Sequence, residues 1–428
     1  MFKFIHAADI HLDSPMRGLS RYESAPVSLL KGATRSAFKN LVDLAIEEKV
    51  DFVVIAGDLY DGDWKDYSTG IFLSSEMGRL KSENISVYIV YGNHDAENKM
   101  TKSLIFPDNV HVFSSKKPER FIIDELQLTI SGRSFPESAV SGNFAAEYEQ
   151  GISNYFNIGI LHTSLNGGLS NDSYAPCSVN DLSALNFQYW ALGHVHSPVV
   201  VKSENPWIVF PGCTQGRHIR ETGVHGCNIV TVDDGSVTDF RTVPLDVVRW
   251  SECRVDISEC ATLNELTAKT AVILEDALDK SDNRMLAVRI IFEGKTPLYR
   301  HLVSDSDFVT SQIRSVCASI AGDMIWLEKV ILNIHDKVEM TYDESSPLGA
   351  FVSQLGGNNQ TPEELSLSDA EELNMLMEII ETLKSKLPSG HFGLASPLNL
   401  NDEEVLKTIV KDARTLLGAM ILGNGGEK

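Results

Sequence analysis

Five short motifs occupy the first half of this chain: Asp9-Ile10-His11, Gly57-Asp58, Gly92-Asn93-His94-Asp95, His162 and Gly193-His194-Val195-His196. They supply Asp9, His11, Asp58, Asn93, His94, His162, His194 and His196 as candidate site residues. Carboxylate and amide oxygens mixed with imidazole nitrogens suit a pair of divalent transition metals. Singly, each motif has an ordinary explanation. Gly57-Asp58 and Gly92-Asn93 read as turns, and one histidine at a strand end is commonly a hydrogen-bonding group. Jointly they read as a metal site, because most of them follow an apolar strand. Loops after strands are where distant side chains converge in an open α/β sheet.

The elements that must position these residues follow from hydropathy periodicity. Strands are predicted over 2–8, 52–56, 86–91, 158–161 and 189–192, each running into one of the motifs. Helices are predicted over 33–49, where Phe38, Leu41, Leu44 and Ala45 share a face, and over 71–81. Shorter strands over 199–202, 207–210, 228–232 and 239–243 have an antiparallel look. Residues 1–245 therefore read as a mixed α/β sandwich, in α-β-β-α layers, rather than a purely doubly wound sheet.

At 428 residues the chain exceeds one ordinary core, and two or three domains are expected. Residues 246–336 read as a small α/β cap: strands over 249–257, 285–292 and 325–334, helices over 263–278 and 307–320. Residues 337–361 include a Gly-, Ser-, Asn- and Gln-rich stretch and read as a linker. Residues 362–428 read as a helical tail, with stripes such as Leu373, Leu376, Ile380, Leu383 and Leu406, Ile409, Ala413, Leu416. Two such helices bury their apolar faces on the cap or on a partner.

Composition narrows the classes. No run of 18 apolar residues suggests a membrane span, and residues 1–9 lack the pattern of an export signal. The expected setting is the cytoplasm, where the six cysteines stay reduced. The net charge of −22 argues against tight, unaided DNA binding, which usually needs a basic face. It does not exclude a phosphodiester substrate, since bound metal ions add positive charge where a phosphate would sit. From Asp336 onward 16 acidic and 7 basic residues concentrate much of the excess in the tail. Arg217, His218 and Arg220 lie in a loop after the last motif, either touching a phosphate backbone or simply solvated. Lys31, Arg35 and Lys39 read as a solvated helix face.

The motifs resemble those of the calcineurin-like metallophosphoesterase superfamily. Longer strings resemble its DNA-repair exonuclease branch, the SbcD-like and YhaO-like proteins: Ala8-Asp9-Ile10-His11-Leu12-Asp13-Ser14-Pro15, Gly57-Asp58-Leu59-Tyr60-Asp61 and Phe210-Pro211-Gly212-Cys213-Thr214-Gln215-Gly216-Arg217-His218. The resemblance covers roughly residues 1–245 closely, the cap by arrangement, and the tail weakly. It implies one metal held by Asp9, His11 and His196, a second by Asn93, His162 and His194, and Asp58 bridging both. Manganese is the expected ion, with iron or zinc able to use the same donors. His94 is then placed to hydrogen-bond the phosphate or protonate the leaving oxygen, with Asp95 orienting its ring. Some nucleases of the family carry histidine where this chain has Asp61.

The implied activity is a two-metal DNA exonuclease or endonuclease, a subunit of a repair machine driven by an SMC-like coiled-coil ATPase. The C-terminal helices would dock that partner, and relatives of this kind often form homodimers. Two rivals use the same residues: a phosphoesterase acting on nucleotides or phosphoproteins, and a silent scaffold for the ATPase.

Overall fold

The computed structural model describes residues 1–14, 26–61, 67–97, 106–165 and 174–337. The expected linker, apart from residue 337, and the helical tail lie outside the described residues.

Strand β1 (Phe2–Ala7) is followed by helix α1 (Val27–Glu47), β2 (Phe52–Ala56), α2 (Ser68–Ser82) and β3 (Ser86–Val90). The short helix α3 (Asn93–Glu97) and strand β4 (Val110–Val112) come next. With β11 (Gly226–Asp233) and β12 (Ser236–Pro244) these strands make a six-stranded sheet, ordered β12-β11-β1-β2-β3-β4. Strands β1 to β4 run parallel, and β11 runs antiparallel to β1 and β12. Asp234 and Gly235 join β11 to β12 with positive φ at both positions (47° and 70°), the signature of a tight hairpin turn.

The second sheet has the order β5-β6-β7-β8-β10-β9. Its strands are β5 (Glu119–Ile123), β6 (Leu128–Gly132), β7 (Phe156–His162), β8 (Tyr189–Gly193), β9 (Val199–Ser203) and β10 (Trp207–Phe210). Strands β6, β7, β8 and β10 are parallel, while the edge strands β5 and β9 are antiparallel to their neighbours. Strands β4 to β6 were not anticipated from the sequence. All three residues of β4 are half-buried and β5 is partly exposed, so neither shows a fully apolar run.

Period-2 alternation builds the layers. On β1, Phe4 faces the second sheet while Ile5 faces the helices. Phe4, Phe52, Val54, Ile130, Ile158, Ile160 and Tyr189 form the core between the sheets. Ile5, Val53, Ile55 and Val87 pack with Phe38 and Leu41 of α1 and with Leu73 and Met77 of α2. On the far face of the second sheet, Trp190, Leu192 and Phe210 are covered by Phe135, Phe144, Tyr148 and Phe187 together with the five-residue helix α4 (Val179–Ser183). That outer layer is therefore mostly loop and short turn, in contrast to the long helices over the first sheet.

Helix α1 starts six residues earlier than its periodicity suggested. Pro26 precedes its first turn, and Leu30 and Ala33 bury against Val248, Trp250, Met285 and Trp326. Of its cations, Arg35 forms a double hydrogen bond to Asp13, Lys39 bonds Asp43 from an exposed position, and Lys31 is exposed.

The chain divides into two compact units, the first comprising Met1–Cys253, Leu274–Arg289 and Ile320–Glu328, and the second, among the described residues, Arg254–Ile273, Ile290–Ser319 and 329–337. Residues beyond β12 form β13 (Val248–Asp256), α5 (Leu263–Asp279), β14 (Met285–Thr296), α6 (Tyr299–Ser304), α7 (Ser306–Ala321) and β15 (Ile325–Asp336). The three strands form a sheet ordered β13-β14-β15. In the second unit α7 buries Val309, Ile313 and Cys317. All six cysteines are free and buried. Among the described residues no helix is long and apolar enough to cross a membrane.

Two expectations test this core. Phe4 is stacked 5.1 Å from Phe52 and edge-on to Tyr189 at 5.3 Å. Phe4→Ala should cost about 3–5 kcal/mol in urea denaturation. His6 is fully buried, accepts from the Tyr189 hydroxyl at Nδ1 and donates from Nε2 to the Leu192 carbonyl. Burial pushes its pKa down from 6.5 to about 3. A folded state that keeps His6 neutral is fully favoured above pH 6.5 and loses stability as pH falls toward 3. The loss from this residue is at most about 1.4 kcal/mol per pH unit. The stability of His6→Gln should fall less steeply between pH 7 and 5 than that of the wild type.

Candidate metal centre

Each candidate ligand sits at or just beyond the C-terminal end of a parallel strand. Asp9 and His11 follow β1, Asp58 follows β2, Asn93 opens α3 after β3, His162 ends β7, and His194 and His196 follow β8. The register pairs His162 with Gly193, so β7 and β8 deliver their histidines side by side. The backbone turns sharply here. Asp9, His11, Asp58 and His194 have φ of 50°, 45°, 50° and 102°, conformations a side chain adopts only when its surroundings enforce them.

Three overlapping groups have donor atoms lying within 4.8 Å of one another: Asp9–His11–His196, His11–Asp58–His94 and Asp9–Asp58–His162. His11 Nε2 lies 3.2 Å from His196 Nε2 and 3.8 Å from Asp58 Oδ2. His162 Nε2 lies 3.4 Å from Asp58 Oδ2 and 3.0 Å from Asn93 Oδ1. The His194 ring stands 5.3 Å from that of His162 and contributes to none of the three groups. Its backbone N–H instead donates to both oxygens of Asp9.

The donor chemistry fits cations. His162 Nδ1 must donate to the Ala56 carbonyl, because that oxygen can only accept. In the neutral ring, the tautomer so fixed turns the Nε2 lone pair onto the oxygens of Asp58 and Asn93. His196 Nδ1 is likewise held by Glu221 Oε1 at 2.7 Å, leaving its Nε2 lone pair toward His11. Lone pairs facing carboxylates repel unless positive charge lies between them. His11 Nδ1, buried, has no hydrogen-bond partner among the described residues.

Ionisation reflects the same demand. Burial works against a charged His162, yet the adjacent Asp58 carboxylate pushes its pKa up to about 9. Burial would raise Asp58, but His162 and His11 hold it well below the usual carboxylate range. Burial, reinforced by His162, pushes His194 down to about 3.

Asp95 does not orient His94. Its carboxylate is buried and accepts backbone N–H groups from Leu59 (3.1 Å), Tyr60 (2.8 Å) and Gly92 (2.9 Å). It pins the turn after β2 to the turn after β3. Orientation falls to Asp61, whose Oδ1 lies 3.0 Å from His94 Nδ1. The hydrogen bond that His94 donates to Asp61 raises the His94 pKa despite partial burial. The His94 side chain is 39% exposed and that of His196 30%, and His194 is half-buried, whereas Asp9, His11, Asp58, Asn93 and His162 are buried.

The loop cations separate. Arg217, 13% exposed, lies within the site, forked onto Glu221 and 3.6 Å from Asp61. His218 and Arg220 are exposed on the surface. Glu221, which escaped the sequence reading, is buried behind His196. A glutamate four residues after an arginine in a loop carries no motif of its own; its place beside a ligand histidine is tertiary.

Comparison with known proteins agrees with this site. Residues 2–198 match the calcineurin-like phosphoesterase family, and residues 250–335 match the family described as metallophosphoesterase YhaO, middle domain. The chain is 36% identical over 299 residues to the uncharacterized metallophosphoesterase YhaO of Bacillus subtilis (strain 168), covering 69% of this chain and 72% of that protein. The chain belongs to the calcineurin-like metallophosphoesterases, in the YhaO-like branch of that superfamily. Its chemistry is accordingly that of a metal-dependent phosphoester hydrolase. Similar solved structures include a dimetal phosphatase from Danio rerio, at 13% identity and TM-score 0.33, spanning 54% of this chain and 93% of that one. A protein from Thermus thermophilus gives 13% identity and TM-score 0.34, spanning 57% of this chain and 99% of that one.

Partners that hold a ligand imidazole tune its metal affinity, and losing one typically costs 10- to 100-fold. Glu221→Gln keeps the shape but weakens the acceptor behind His196. Titration calorimetry with manganese should show affinity lowered roughly 10-fold or more, with the far-ultraviolet spectrum unchanged.

Proposed function

We propose that this protein is a DNA nuclease that cleaves phosphodiester bonds at a two-metal centre. The observation that carries the phosphodiesterase reading is a half-buried histidine, His94, held at Nδ1 by Asp61 beside the clustered donor atoms of Asp9, His11, Asp58, His162 and His196. Asp9, His11 and His196 would hold one ion, Asn93, His162 and His194 the other, and Asp58 both. For His194, this assignment rests on family resemblance. Divalent ions there, manganese by expectation, would polarise the phosphoryl oxygens and lower the pKa of attacking water.

The chain's own residues do the rest. Asp61 fixes the His94 ring through Nδ1, which leaves Nε2 as the nitrogen able to give a proton to the leaving oxygen. The His94 backbone N–H donates to Asp58 Oδ1, tying the backbone that carries that ring to the Asp58 carboxylate. Asp95 keeps the two loops carrying Asp58 and Asn93 in register.

DNA is favoured as substrate by the strings shared with the DNA-repair exonuclease branch. The proposal includes a coiled-coil SMC-like ATPase as partner, docked through the C-terminal helices, and self-association as a homodimer. An acidic chain of net charge −22 gains most from a partner that supplies the grip on DNA.

The test is hydrolysis of linear double- and single-stranded DNA, with manganese or chelator, by wild type and His94→Ala. General acid catalysis is worth about 10²–10⁴ in rate. The variant should lose roughly that factor while keeping its metal. Faster turnover of a mononucleotide ester or a phosphopeptide than of any DNA would replace the nuclease reading with the small-ester one. A metal-loaded wild type inert even toward bis-p-nitrophenyl phosphate would leave a scaffold.

A further inference from the structure

Arg217 was expected either to touch a substrate phosphate or to be solvated. Its surroundings assign it differently. Its guanidinium is forked onto Glu221, with Nη2 2.9 Å from Oε1 and Nε 3.3 Å from Oε2, and its own backbone N–H donates to Oε2 at 2.7 Å. Its other terminal nitrogen, Nη1, lies 3.6 Å from Asp61 Oδ2. Each of those carboxylates holds a working histidine: Glu221 holds His196 at 2.7 Å, and Asp61 holds His94 at 3.0 Å. Ser14 donates to the Asp61 oxygen that faces Arg217, which leaves the other oxygen to His94. The result is a continuous chain, His196–Glu221–Arg217–Asp61–His94. It joins the loop after β8 to the turn after β3.

We propose that Arg217 is a positioning residue that locks the metal-ligand side of the site to the His94 side, and that it does not anchor substrate phosphate. Two arguments support this. A guanidinium flanked by two carboxylates has its charge compensated before any phosphate arrives. It is also 13% exposed, whereas His94 is 39% exposed. A planar fork matches carboxylate geometry, and a lysine ammonium at the same place cannot hold Glu221 at two points. The kinetic part of this inference rests on the hydrolase reading above; the metal-binding part does not.

The experiment compares wild type with Arg217→Lys and Arg217→Gln. Manganese affinity is measured by calorimetry, and kcat and KM on a thymidine dinucleotide and on bis-p-nitrophenyl phosphate. A positioning role predicts that both variants, lysine included, bind manganese roughly three- to tenfold more weakly, less than direct removal of a ligand's own partner. It predicts a kcat on the dinucleotide lowered about 10- to 100-fold, within the range of misplaced acid catalysis. The loss should be several-fold smaller on the nitrophenyl ester, whose leaving group needs little protonation. KM should stay within about twofold on both. A phosphate anchor would raise KM for Arg217→Gln, restore it in Arg217→Lys, and leave manganese affinity untouched; that pattern overturns the proposal. So do variants indistinguishable from wild type in affinity and kcat. If metal-loaded wild type turns over neither ester, the function reading fails, and unchanged manganese affinity in both variants would then separately overturn this one.

Discussion

Two carboxylates, Asp9 and Asp58, lie buried among imidazoles at the ends of parallel strands, and compensating their charge is the constraint to which the rest of the site answers. An isolated buried carboxylate is strongly disfavoured. Protein groups meet part of the demand: the His194 N–H bonds both oxygens of Asp9, and the His94 N–H bonds Asp58. The remainder falls on the imidazole-lined space between them, where positive charge is stabilised whether it arrives as a proton on His162 or as a metal ion. Ligand tautomers are set from behind, by the Ala56 carbonyl and by Glu221, so that lone pairs point inward.

Such a site needs loops that cannot relax. Asp95 provides one fastening by accepting three backbone N–H groups from two different loops. Close backbone approach provides another. A Cβ on Gly57 would strike the His162 ring, and one on Gly92 would strike Asp58. These glycines let the turns after β2 and β3 come close enough for His162 to reach Asp58. Left-handed backbone at Asp9, His11 and Asp58 is held in place by the same fastenings, with the Asp9 N–H bonded to the Gly57 carbonyl and the His11 N–H to the Asp58 carbonyl.

Charge is organised outward in shells of alternating sign. Carboxylates at the centre face imidazoles, two of those imidazoles are backed by Glu221 and Asp61, and these carboxylates are bridged by Arg217. Farther out, Arg35 ties Asp13 in the β1 loop to α1 and, through Ser68, to α2. A cation count from sequence overstates what is available to a substrate, because these arginines are already engaged within the protein.

What the sequence determined by itself was the set of groups that face one another. The candidate ligands follow apolar strands, and a strand's hydropathy fixes where it ends, so Asp9, Asp58, Asn93, His162 and His194 could be placed at those ends from residue order and hydropathy alone. The strands of the cap and the long helices were legible for the same reason: local periodicity records which face is buried. Assignments that depend on the second layer were not legible. Asp95 beside His94 in sequence suggested a hydrogen bond between them, yet adjacent residues on a helical turn point apart, and Asp61 arrives from another loop instead. Glu221 and Arg217 acquire their roles from loops that meet in space, and β4 and β5 lacked fully apolar runs because each is an edge strand exposed along one side. Tertiary structure decided these because a hydrogen-bond partner is chosen by distance and direction in space, which residue type and spacing do not encode.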